Sequence, residues 1–206
     1  EIAILTEGSD ERIAIKRENA HFLLNLFWAL GLANKNPILD EGPLMQNSGG
    51  QITTFASTGG WTLSARPVAE VYSSTPILRL TPDQQKLVEE AANNTYRPCC
   101  NNSTAFADCN HGMAMLGLFE LMAAQGANLH EMFEAAKYFN AFWFPQQAIN
   151  LAAYFQATEG QSFAEVDART LVSARYSSGR GWNTVYTWLT ENGKVEQLPG
   201  QNGCGT

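Results

Sequence analysis

Between Tyr96 and Met115 the chain reads YRPCCNNSTAFADCNHGMAM, and this stretch holds three of its four cysteines and one of its three histidines. Thiolate and imidazole are the ligands that soft and borderline metals select, among them zinc, copper and the iron of iron–sulfur clusters. Cys99, Cys100 and Cys109 are the candidate ligands, with His111 or Cys204 completing the set. The spacing follows no standard signature. Zinc and ferredoxin ligands commonly recur as C-x2-C, whereas here two cysteines are adjacent and the third lies nine residues on; the C-x-x-C-H pattern of covalent haem is absent.

Four cysteines also permit two disulfides in an exported protein. Adjacent Cα atoms lie about 3.8 Å apart across a trans peptide, below the usual disulfide separation, so a bond between Cys99 and Cys100 would be strained. The pairings left are Cys99 with Cys109 and Cys100 with Cys204, or Cys99 with Cys204 and Cys100 with Cys109. Inert core thiols are the third reading, since cysteine is among the most buried residue types. The Gly-flanked Cys204 in PGQNGCGT resembles the mobile arms of sulfur-carrier proteins such as the SoxYZ and DsrC families. That resemblance implies a thiol carrier with the Cys99 and Cys100 pair as its exchange partner.

The cysteine loop, 96–111, depends on the elements that flank it. TPDQQKLVEEAANN predicts a helix before it, with Thr81 as cap and Pro82 at the first helical position. After it, a helix is expected from about Gly112 to Gln125, stopped by Gly126. Asp108 or Asn110 would cap that helix, and its positive end would stabilise a Cys109 thiolate. Gly112 would let the backbone come close to a bound group. His111, Met115, Leu118 and Met122 share one stripe, which reads as core rather than as a row of copper ligands. Asn128 and Glu131 form a capping box for a helix that ends before Pro145, and another helix covers about Gln146 to Ala157.

Further from the loop, Ser162 and Glu165 form a second box, followed by short helical turns in DARTLVSARY and WNTVYTWLTENG and by a Gly-rich tail, 198–206. Towards the N-terminus, a helix is expected from about Asp10 to Leu30 with Ser9 as cap. A long loop, 32–76, carries β-prone pieces at Gln51 to Phe55 and Val68 to Tyr72. The expected fold is mainly α: a single multi-helix domain over 1–206 with a long irregular loop and a small β element around residues 50–72.

Composition narrows the function classes. With 13 Lys plus Arg against 20 Asp plus Glu, the net charge of −7 offers no footprint for a nucleic-acid backbone. No apolar run reaches the roughly eighteen residues of a transmembrane helix. Charged residues are only 16% of the chain, and N-x-S/T triplets at Asn93, Asn101 and Asn102 point to an extracytoplasmic setting, whether periplasmic, cell-envelope or secreted. A sequence beginning at Glu1 rather than Met fits a leader or lipid anchor already removed.

No nucleophile elbow, Walker loop or dinucleotide fingerprint is present, so no catalytic residue is assigned. Glu18 and His21 supply half of a di-iron Glu-x-x-His set that has no second copy, which leaves His21 as a partly buried histidine bonded to Glu18 or Asn25. Glu120 is expected on the exposed side of its helix and His130 at a helix-start surface. The crowded aromatics Tyr138, Phe139, Phe142, Trp143 and Phe144 read first as core and second as a homo-oligomer contact. Together these features point to a transition-metal or iron–sulfur protein in redox or electron-transfer work with a redox partner protein. A disulfide-stapled extracellular assembly protein and a Cys204 sulfur carrier are the alternatives.

Overall fold

The computed structural model describes residues 12–59 and 65–195. Six longer helices organise them: α1 (Ala20–Ala33), α2 (Pro82–Asn94), α3 (Asn110–Ala124), α4 (Leu129–Trp143), α5 (Pro145–Glu159) and α6 (Gly179–Glu191). Local chemistry sets most of their ends. Thr81 and Asn128 each accept an N–H three residues on, while Gln84 and Glu131 return a side-chain oxygen to the cap's own N–H. Gly126 and Gly160 stop α3 and α5 in the left-handed region, at φ of 84° and 69°.

Three expectations are corrected. Helix α1 begins at Ala20 rather than near Asp10, because the Asn19 side chain accepts from Lys16 N–H and donates to the Ala14 carbonyl, tying residues 14–19 into a turn that competes with helix. Ser9 and its neighbours lie outside the described residues. Among the described residues the small β element is not found: Ile52–Thr54 is a 3-10 turn and Val68–Val71 a helical one. The threonine hydroxyls bond locally, Thr54 to the Gln51 carbonyl of its own turn and Thr58 to those of Phe55 and, in the turn before, Ile52. Among the described residues the only bridges are isolated, Asn34 with Thr75 and Tyr96 with Ser103. Ser162 and Glu165 close a turn instead of starting a helix, since the Ala164 and Val166 carbonyls are taken by the buried Lys137 ammonium at 3.0 and 2.8 Å.

Helix α3 is buried at every position from Gly112 to Glu120 and is the axis of the main core. Its most extensive neighbour is α1. The two cross at Gly31 and Gly117, where a methyl on Gly117 would collide with the Phe27 carbonyl and one on Gly31 would meet Gly117 N at 2.8 Å. Phe139 and Trp143 of α4 and Phe144 after it are buried as core aromatics, Trp143 donating to the Ala20 carbonyl, while Tyr138 and Phe142 stay 40% and 39% exposed. A smaller cluster forms around Leu151 and Phe155 of α5 and Val185 and Leu189 of α6. No described helix is long and apolar enough to cross a membrane.

Glu120 is also corrected, from exposed to fully buried. A buried carboxyl needs donors, and Asn36 supplies one at 2.6 Å, linked onward through Gln85 to Glu89. The network fastens the 32–76 segment to α3. Burial pushes the Glu120 carboxyl up to about 8, against the opposing pull of Asn34 and Asn36.

Two outcomes are expected from this packing. Gly117→Ala should cost about 1–3 kcal/mol, the usual penalty for overfilling a packed core, read by urea unfolding; an unchanged midpoint would mean the helices can part freely. Because folding raises the Glu120 pKa, its contribution is complete below 4.5 and is lost as pH rises through about 8. Glu120→Gln should flatten that decline, and identical pH profiles for both proteins would remove Glu120 as its source.

Candidate metal centre

The cysteine loop spans the gap between the main core and the smaller cluster. Leaving α2, Tyr96 donates its N–H to the Val172 carbonyl at 2.8 Å and accepts from the Asn140 side chain at 2.9 Å. Thr104 returns to the Thr95 carbonyl through both its N–H and its hydroxyl. On the other side, Gly179 and Arg180 at the start of α6 donate their N–H groups to the Cys100 carbonyl and the Asn101 side-chain oxygen, at 2.7 and 2.8 Å.

At the centre of the loop lies Arg97, 1% exposed. Its guanidinium donates to the carbonyls of Asn102 and Phe106 at 2.9 and 3.0 Å, to Asp108 Oδ1 at 2.7 Å, and through Nε to Cys109 Sγ at 3.2 Å. One side chain thus fixes the loop at four points. Asp108 does not cap α3, because Arg97 holds one of its oxygens and Asn102 Nδ2 the other at 2.6 Å. The cap is Cys109 itself, whose sulfur accepts Gly112 N–H at 3.4 Å. Gly112 must be glycine because a Cβ there would run into the guanidinium.

The sulfurs of Cys99, Cys100 and Cys109 lie within 4.8 Å of one another, Cys99 to Cys109 being 3.5 Å apart and unbonded. A tetrahedron of sulfurs at about 2.3 Å from one metal has edges of about 3.8 Å, so three corners of such a set stand close to this arrangement. Cys99 is exposed, whereas Cys100 and Cys109 are partly buried.

The electrostatics single out Cys109. Hydrogen bonds from Cys100 and Cys99, then the charge and Nε–H of Arg97, hold its thiol far below the ordinary range in spite of burial. Bonding to Cys100 and Cys109 raises Cys99, and bonding to Cys109 raises Cys100. Burial works against the Arg97 charge but is outweighed by Cys109 and Cys100, so the guanidinium is held charged.

Of the residues marked from sequence, the fold brings together Cys99, Cys100 and Cys109. His111, two residues beyond Cys109, has its ring against Phe144 and Trp143, centroids 4.4 and 5.8 Å apart, and burial lowers its pKa. It is not in the convergent group. Cys204 and the tail lie outside the described residues. His21 pairs with Asn25 as expected, but it is exposed rather than partly buried, because α1 turns this position to solvent. Arg97, Asn102 and the role of Asp108 were not anticipated; the available signal was a lone arginine two residues before a cysteine pair, in a loop whose one acid is Asp108. No protein-family pattern, curated protein or solved structure matches this chain.

Removing one partner of a buried ion pair costs about 3–5 kcal/mol, because the other is left uncompensated. Arg97→Met should approach that loss in reduced protein, with Arg97→Lys in between, measured by urea unfolding. Wild-type stability in Arg97→Met would contradict the central place given to the guanidinium.

Proposed function

We propose that the chain is a metal-binding protein holding one transition-metal ion on Cys99, Cys100 and Cys109. The reading rests on three sulfurs within 4.8 Å of one another on a loop fixed by a buried arginine. That spacing favours a single ion over an iron–sulfur cluster, in which thiolates bind different irons and stand further apart. A fourth position, where the ion uses one, falls to His111, Cys204 or solvent. Redox or electron-transfer work is the narrower reading, supported by the soft ligands and by the lack of an acid–base pair beside them.

Metal analysis of protein purified without oxygen tests the reading. About one equivalent of zinc, copper or iron is expected in the wild type, and none in Cys109→Ser, whose sulfur has the helix cap and Arg97 behind it. Wild-type protein without stoichiometric metal would contradict the proposal. If the unreduced protein also resisted alkylation and its mass fell by the hydrogens of two disulfides, the stapled assembly reading would replace it.

A further inference from the structure

Resting on the metal-binding reading above, we propose that the centre is built for copper in its cuprous state, held by three sulfurs with no nitrogen or oxygen ligand. The donors decide this. Among the described residues, no histidine, aspartate or glutamate joins the three sulfurs in the convergent group. Asp108, the acid of the loop, borders the site with Oδ1 4.0 Å from Cys100 Sγ, but its two oxygens are held by N–H donors, of Arg97 at 2.7 Å and Asn102 at 2.6 Å. The His111 ring is packed on Phe144 and Trp143. What remains is an all-thiolate set of three, which selects soft ions.

Coordination number then separates the soft ions. Zinc in closed sites takes four ligands, and with three from the protein it recruits another from solvent. A cuprous ion, with a filled d shell and a single charge, is satisfied by three thiolates in a plane. The cupric ion prefers tetragonal nitrogen and oxygen donors, which this centre does not offer. With copper bound, the use is then holding the cuprous ion or passing it on, which replaces the redox reading and keeps the metal-binding one.

Charge and access agree with this assignment. Three thiolates around a monovalent ion keep two negative charges, and Cys109 receives N–H donors from Arg97 at 3.2 Å and Gly112 at 3.4 Å. Asp108 takes up part of the Arg97 charge, and water at the exposed Cys99 edge screens the remainder. That same edge is the way in for the ion. Uptake is ligand exchange without a change of oxidation state: the ion leaves the ligands of its carrier, sulfur bonds form, and displaced thiol protons pass to solvent.

The test uses the whole chain, reduced and under argon, loaded with zinc and then given one equivalent of cuprous ion as its acetonitrile complex. Zinc release is followed with a chromophoric chelator, and the copper environment by X-ray absorption. Full release of zinc and a copper shell of three sulfurs without lighter scatterers is expected. Zinc retained while copper stays in solution would overturn the inference and leave the metal-binding reading standing. A nitrogen, oxygen or fourth sulfur in the copper shell would overturn the three-sulfur set, and failure to bind either metal would overturn both proposals.

Discussion

A guanidinium shut away from water must find acceptors for its N–H groups and an anion for its charge, and Arg97 finds them all within a dozen residues of itself. The shape of the cysteine loop follows from that demand. The carbonyls of Asn102 and Phe106 turn inward, Asp108 gives up the helix cap, and Cys109 takes it over. The N-terminus of α3 and the guanidinium are both positive and both border the same sulfur, so the loop favours negative charge there with no ion present. Cys99 and Cys100 follow two and three residues after the arginine, on the chain it anchors.

The loop also connects the two packed clusters. Its first residues bond to Val172 and Asn140, its cysteine pair to the start of α6, and Cys109 opens the buried α3. An ion that drew the three sulfurs together would join these elements, and by mass action its binding would stabilise the native arrangement. The three cysteines lie where α2, α3 and α6 all meet one stretch of irregular chain.

Legibility in the sequence tracked the range of the forces involved. Caps and stops act within four residues, and Thr81, Asn128 and Gly126 stood where the pattern put them. The three convergent cysteines were legible because they are rare residues close together in the chain. Long-range burial was not. Glu120 looks like the polar face of a helix until α3 is seen to be enclosed on all sides, and its partner Asn36 is far away in the sequence. Arg97 looks like a solvated charge until Gly112 is seen to make room for it. The β-prone pieces failed for a related reason: a strand needs a partner, and here the threonines found acceptors in their own turns.

The central claim is that this loop brings three sulfurs to one ion. Titration of the reduced protein with cobalt(II) addresses it most directly, since thiolate-to-cobalt charge transfer gives a near-ultraviolet band only when sulfur is bound to the metal. The account predicts a band that saturates at one equivalent per chain, grows with three thiolates and collapses in Arg97→Met. A spectrum with no such band, in protein whose thiols are shown to be free, would contradict it.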